Sequence, residues 1–82
     1  MVNQQLRRVI LLNLERIEFG LTEESLKCAV TVETGWLRLT TNEFLTELRE
    51  LERRGLVRKW ENLNGEMVYG IEEMGRDALR GL

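Results

Sequence analysis

The hydrophobic period of the chain changes within residues 48–57, which read Leu48-Arg49-Glu50-Leu51-Glu52-Arg53-Arg54-Gly55-Leu56-Val57. Before Gly55 the leucines recur at helical spacing, and the last turn carries arginines, which the negative end of a helix dipole favours. A glycine at this place is typical of a left-handed C-cap. After Gly55 the apolar residues alternate with polar ones. The stretch therefore predicts a helix that ends at Arg54 and a strand that follows it.

The start of this helix is marked by Thr40-Thr41-Asn42-Glu43, which matches a capping box. Thr40 is placed to accept a hydrogen bond from the Glu43 amide, and the apolar stripe that follows consists of Phe44, Leu45, Leu48 and Leu51. Two helices precede it. Helical spacing predicts helix 1 over residues 3–18, and Thr22 as an N-cap ahead of two acidic residues predicts helix 2 from there to about Thr31.

Downstream, alternating runs at 56–61 and 66–71 flank Asn62-Leu63-Asn64-Gly65, which predicts a β-hairpin. A two-residue turn at Asn64-Gly65 would place Trp60 opposite Tyr69, whereas a longer loop would shift this pairing. The alternation of residues 36–39 predicts a short strand before helix 3. Residues 72–82 are compatible with a short terminal helix that Gly75 and Gly81 weaken.

Composition limits the possible chemistry. The 82 residues are 43% hydrophobic and 32% charged, which predicts a single domain over residues 1–82. There is no histidine and Cys28 is the sole cysteine, so imidazole catalysis, Cys/His zinc sites and an intrachain disulfide are excluded. Cys28 is expected to be a buried small hydrophobe. We expect no enzyme activity, no cofactor and no metal.

Charge and hydropathy also limit the partners. Twelve basic against 14 acidic residues give a net charge of −2, so the chain has no overall cationic field that would attract nucleic acid or a membrane. No apolar run approaches the length of a spanning helix, and the start of the sequence does not read as a signal peptide. We therefore expect a cytoplasmic protein that does not associate with membranes.

The order of these elements resembles that of winged-helix domains of bacterial, archaeal and phage regulators. Residues 48–57 resemble the motif L-x-x-L-E-x-x-G-L-V that closes the recognition helix and opens the wing. Tyr69-Gly70-Ile71 with Gly75-Arg76 resembles Y-x-I-T-x-x-G-R, with Glu72 in place of the threonine. The resemblance implies an α+β winged-helix fold: a three-helix core with a short strand before helix 3, a C-terminal β-hairpin wing and a short terminal helix.

In winged-helix proteins that bind DNA, helix 3 enters the major groove and the wing contacts the backbone or the minor groove. The resemblance therefore implies a DNA-binding regulator of transcription. The candidate DNA contacts on helix 3 face away from its apolar stripe and are Asn42, Thr46, Arg49 and Arg53. The candidates on the wing are Arg58, Lys59, Asn62 and Asn64. Arg58 and Lys59 point to opposite faces of the β-strand, so at most one of them can contact a given DNA strand.

One DNA-contacting helix on a domain without a cationic surface binds DNA weakly, which implies that the protein acts as a homodimer. The hydrophobes most available for a dimer interface are Leu11, Leu12, Met74, Leu79 and Leu82. An alternative is a winged-helix module that binds a protein partner and no nucleic acid. Residues 41–55 carry four acids against three arginines, a balance that is unfavourable beside DNA, and in the alternative this acidic helix packs on the partner. A further interpretation is an ordinary solvated face held by pairs such as Glu50 with Arg54. Trp36 and Trp60 could stack on a base or anchor a partner, although cover for a small core is the favoured interpretation.

Overall fold

The computed structural model describes residues 4–35 and 39–81. Over these residues four helices and three strands follow one another in the order α1 Gln4–Arg16, β1 Leu21–Thr22, α2 Glu23–Glu33, α3 Thr41–Arg53, β2 Val57–Glu61, β3 Met67–Ile71 and α4 Glu73–Gly81. All four predicted helices are confirmed, with boundaries that differ by about two residues, as is usual for helix ends.

The predicted caps position α2 and α3. The Thr22 hydroxyl accepts a hydrogen bond from the Ser25 amide at 3.1 Å, and the Thr40 hydroxyl accepts one from the Glu43 amide at the same distance. Gly55 follows α3 with a φ of 77°, the left-handed conformation expected of it. Helix α3 is therefore fixed at both ends by signals that are local in the sequence.

The sheet contains one strand in an unexpected place. Its order is β1-β3-β2, and β1 pairs with β3 through Leu21 opposite Tyr69 and Thr22 opposite Val68. This third strand of the described sheet lies between α1 and α2. Of the strand predicted at residues 36–39, residues 36–38 lie outside the described residues and Leu39 is in a loop. Two residues are too few to produce a visible alternation, and their partner strand lies far along the chain.

The hairpin of β2 and β3, called the wing below, has a three-residue loop at residues 63–65. Asn62 donates its amide to the Glu66 carbonyl at 2.8 Å, and Gly65 has a φ of 79°. Lys59 therefore lies opposite Tyr69 and Trp60 opposite Val68. The predicted pair of Trp60 with Tyr69 is wrong, and the longer loop is the alternative that holds.

Helix α1 lies at the centre of the core, where it contacts α2, α3, α4 and β3. The largest fully buried side chains are Phe44, Ile10, Leu11, Leu14, Leu26, Leu48, Leu51 and Val30. Leu11 is 0% exposed, so its side chain offers no surface to a second copy, and its place among the dimer candidates is corrected. A helix with several neighbours buries a wider face than the single stripe that its sequence suggests.

Helix α4 packs closely on the connection between α3 and β2. A Cβ on Gly75 would come within 2.3 Å of the Leu56 carbonyl oxygen, and the Glu72 amide donates to that same oxygen at 2.9 Å. Gly75, which helix propensity marks as a weak point, thus permits the contact that holds the first turn of α4 in place.

Candidate nucleic-acid interface

The polar side of α3 is an exposed surface. Its buried side consists of Phe44, Leu48 and Leu51, whose exposed fraction is 0%. Opposite them lie four exposed residues that we call the outer face of α3: Asn42, Thr46, Arg49 and Arg53. Their spacing of four, three and four residues keeps them on one side of the helix. The structure therefore brings the four helix candidates together on one surface.

One acid of α3 is turned away from this surface. Arg7 Nε donates to Glu47 Oε1 at 2.9 Å, and the two side chains are only 12% and 9% exposed. The pair joins α1 to α3 beside the core. The sequence gives no sign of this pair, because a charged residue on a helix is typical of a solvent-facing position and no local pattern connects positions 7 and 47. The surface of α3 therefore carries less negative charge than its sequence suggests.

A second acid of α3 is shared by two arginines. Arg53 Nε donates to Glu50 Oε2 at 2.9 Å and Arg54 Nε donates to Glu50 Oε1 at 2.8 Å. These hydrogen bonds lower the pKa of Glu50 to about 2, and the larger contribution comes from Arg53. The hydrogen bonds with Glu50 raise the pKa of Arg53. The predicted pair of Glu50 with Arg54 is confirmed. The cluster of three residues keeps a formal charge of +1, and the Arg53 side chain is 70% exposed.

Arg49 differs from Arg53. Among the residues that the structure describes, no ion pair or hydrogen bond involves the Arg49 side chain, which is exposed. Burial is the main cause that raises the pKa of Tyr69, and the charges of Glu23 and Glu52 raise it further. The charge of Arg49 lowers it. Arg49 therefore presents an exposed guanidinium without an ion pair in the described part of the chain.

The two basic residues of β2 lie on opposite sides of the sheet, as predicted. Lys59 is opposite Tyr69 and its Nζ is 6.0 Å from the Tyr69 ring centroid, on the side where Tyr69 joins the core. The Arg58 guanidinium carbon lies 4.7 Å from the Trp60 ring centroid, and Arg58 Nε is 3.3 Å from Glu72 Oε1. Lys59, and not Arg58, thus lies on the side of the wing that carries Tyr69.

The tip of the wing is built around Asn62. Its Oδ1 accepts hydrogen bonds from the amides of Asn64 and Glu66, both at 2.9 Å. The Asn62 side chain is therefore occupied in the turn, whereas Asn64 is exposed. Leu63 is fully exposed at the tip. Of the two wing-tip candidates, only Asn64 presents its side chain to a ligand.

The remaining dimer candidates have different surroundings. Met74 is 60% exposed on α4, whereas Leu12 is half-buried and Leu79 packs on the core. Leu82 lies outside the described residues. Trp60 is half-buried beneath Arg58, as expected of a side chain that covers the fold, and Trp36 also lies outside the described residues.

Other kinds of site find little support in the part of the chain that the structure describes. No group of three or more acidic or cysteine residues there is placed to hold a metal ion, and no described helix is long and apolar enough to cross a membrane. Cys28 is exposed on α2, contrary to the expectation that it is buried. It occupies the solvent side of a helix whose buried positions are Leu26 and Val30.

Comparisons with known proteins support the architecture. No protein-family model and no curated protein matches the chain. Among solved structures, the Campylobacter jejuni peroxide stress regulator is similar, with a TM-score of 0.74 and 23% identity over 85% of this chain and 50% of that one. SSV1 F-93 is similar with a TM-score of 0.70 and 20% identity, over 92% of this chain and 79% of that one.

The chain thus spans half the length of the peroxide stress regulator. At these identities the likeness concerns the fold. Three helices, a hairpin wing and a terminal helix are common to the expectation and the structure. Together with the two structural likenesses, they show that the chain has a winged-helix fold.

Proposed function

We propose that the chain acts as one winged-helix module that binds double-stranded DNA, with the outer face of α3 in the major groove and Lys59 at the phosphate backbone. The observation that carries the proposal is the exposed Arg49 at the centre of a polar helix face, without an ion pair among the described residues. A free guanidinium in that position can form two parallel hydrogen bonds with guanine.

The neighbours of Arg49 suit the same role. Asn42 can pair with adenine, and Thr46 can contact a phosphate or a thymine methyl group. Arg53 and Arg54 share Glu50, so their cluster presents a formal charge of +1 that favours phosphate. Because Glu47 is turned inward against Arg7, α3 repels DNA less than its number of acidic residues suggests.

The proposed biological role is that of a cytoplasmic regulator of transcription, and the proposed active form is a homodimer. The outer face of α3 spans few base pairs and the net charge is −2, so two half-sites would supply the affinity that one module lacks. Met74, exposed on α4, is the described candidate with the most free surface for such a contact.

DNA binding is tested by fluorescence anisotropy with a labelled random-sequence duplex at several salt concentrations. The expected result is measurable binding at low salt, with an affinity that falls as salt rises. Arg49→Glu together with Arg53→Glu should abolish binding. The matched control is Arg76→Glu together with Arg80→Glu on α4, which makes the same charge change away from α3 and should leave most of the affinity intact. Absence of binding by the folded wild-type protein at low salt would overturn the proposal.

Dimer formation is tested by analytical ultracentrifugation at high micromolar protein. The proposal predicts a dimer that Met74→Glu dissociates and that Val32→Glu, an equally apolar-to-acidic change at an exposed position of α2, leaves intact. A wild-type protein that sediments only as a monomer would contradict the dimer without affecting the assignment of the DNA-binding face.

A protein-interaction module is the second candidate, and two exposed side chains favour it. Phe19 is 87% exposed after α1, and Leu63 is fully exposed at the wing tip. Large apolar side chains in such positions are common at protein interfaces. This candidate predicts that a folded sample fails to bind duplex DNA at any salt concentration, so the anisotropy measurement separates the two functions.

A further inference from the structure

A cleft lies on the side of the wing that faces away from Lys59. Its volume is about 260 Å³, and its lining includes Ile17 and Glu18 after α1, Arg58 and Trp60 on β2, and Arg76 on α4. The Trp60 ring lies over Gly20 and Gly70, and a Cβ on Gly70 would come within 2.7 Å of that ring. The two glycines therefore let the indole lie flat against the backbone as one wall of the cleft.

Arg58 makes two side-chain contacts beside this cleft. Its guanidinium stacks on the Trp60 ring at 4.7 Å, and its Nε faces Glu72 Oε1 at 3.3 Å. The Arg58 side chain is 66% exposed, so its guanidinium remains accessible to a ligand. A cation that is oriented by stacking and by an ion pair is prepared to bind a carboxylate in two-point geometry.

Two further charged groups line the cleft. In the described part of the chain, neither the Arg76 side chain nor the Glu18 side chain makes an ion pair. Because Glu72 pairs with Arg58, the four charges of the region sum to zero, with one carboxylate and one guanidinium left without a partner. A simple anion would gain from Arg76 but would be repelled by Glu18. A molecule that carries both signs of charge satisfies both groups.

We propose that this cleft binds a small zwitterion, namely an α-amino acid with an apolar side chain. The carboxylate would accept hydrogen bonds from Arg58 and Arg76, the ammonium group would donate to Glu18, and the apolar side chain would lie against Ile17 and the Trp60 ring. The volume suits a molecule below the size of most drug-like ligands. The proposal is independent of DNA binding, because the cleft uses neither the outer face of α3 nor Lys59.

The test is a titration of the full ¹⁵N-labelled chain followed by NMR. Leucine is the probe, with isovalerate as the analogue that lacks the ammonium group and isoamylamine as the analogue that lacks the carboxylate. The expected result is saturable shifts of the Trp60 indole NH and of the Gly70 and Arg76 amides with leucine below about 10 mM, with both analogues binding at least about tenfold more weakly. Shifts that do not saturate, or isovalerate binding as tightly as leucine, would overturn the proposal.

Variants locate the site. Arg76→Gln and Glu18→Gln should each weaken leucine binding by about tenfold, because each removes a charge-assisted hydrogen bond. Arg80→Gln, one turn further along α4 and outside the cleft, should leave it unchanged. Circular dichroism checks that each variant is folded, and Glu18→Gln changes a side chain with no ion pair in the described structure. Unchanged leucine affinity in both cleft variants would contradict the assignment.

Discussion

The two sides of α3 use the same chemistry, arginine with glutamate, for different purposes. On the inner side, Arg7 and Glu47 are nearly buried and join two helices of the core. On the outer side, Glu50 pairs with Arg53 and Arg54 of its own helix, and these side chains are in contact with solvent. Removing one member of a buried ion pair is strongly destabilising. An exposed ion pair contributes little to stability, and its arginine can exchange the carboxylate for a phosphate. The charge count of α3 therefore says less about DNA binding than the direction in which each charge faces.

The largest expected effect comes from breaking the inner pair. Glu47→Ala leaves the Arg7 guanidinium buried without its carboxylate and should lower the free energy of unfolding by about 3 kcal/mol. Urea denaturation measures the loss, and Glu50→Ala is the control for the outer pair. Replacement of both members, Arg7→Met with Glu47→Leu, should restore most of the stability. If Glu47→Ala lowers stability no more than Glu50→Ala does, the contrast between the two sides is wrong.

The next effect concerns the two arginines of the outer face. Arg49→Ala should weaken binding to a duplex by about tenfold, because its guanidinium is free to contact a base. Arg53→Ala should cost less, since Arg53 must give up Glu50 before it meets DNA. Anisotropy measures both affinities, and Arg80→Ala is the control. If both substitutions weaken DNA binding equally, the ion pair of Arg53 with Glu50 does not reduce the contribution of Arg53 to DNA affinity.

A smaller effect separates the two sides of the wing. Lys59→Ala should reduce the slope of log affinity against log salt by about one, as expected for the loss of one phosphate contact. Arg58→Ala should leave the slope unchanged, because Arg58 lies on the other side with Trp60. The measurement is the same titration in a series of salt concentrations. A slope that depends on Arg58 and not on Lys59 would reverse the orientation of the wing.

The smallest effect is the titration of Glu50. Its pKa in the folded chain is about 2, below the ordinary value of 4.5, because Arg53 and Arg54 hydrogen-bond the ionised form. The pair should therefore contribute its small stabilisation above pH 4.5 and lose it as the pH falls towards 2. NMR of the Glu50 side-chain carboxyl carbon measures the midpoint, which Arg53→Gln should raise. A midpoint near 4.5 in the wild type would mean that the cluster does not persist in solution.

Much of this architecture follows from signals that are local in the sequence. Thr22 and Thr40 begin helices where their hydroxyls can cap, and Gly55 ends α3 because it adopts a positive φ. The outer face of α3 follows from helical spacing once the apolar stripe is assigned. These features need no knowledge of distant residues, so the sequence alone predicts them.

The misassigned features depend on distant contacts. The strand Leu21–Thr22 exists because β3 passes beside it, and Leu11 is buried because several elements surround α1. The register of the wing shifted by one residue because the Asn62 side chain stabilises a three-residue loop, a choice that the Asn-Gly signal leaves open. The pairing of Glu47 with Arg7 joins two helices and has no local signature.

The most direct test of the outer face of α3 as the DNA-binding surface is amide shift mapping of the labelled chain on addition of a short duplex at low salt. We predict that the largest shifts fall at Asn42, Thr46, Arg49 and Arg53, with a smaller group at Lys59. Shifts confined to other surfaces, such as the cleft at Trp60 or the exposed Phe19, would contradict it.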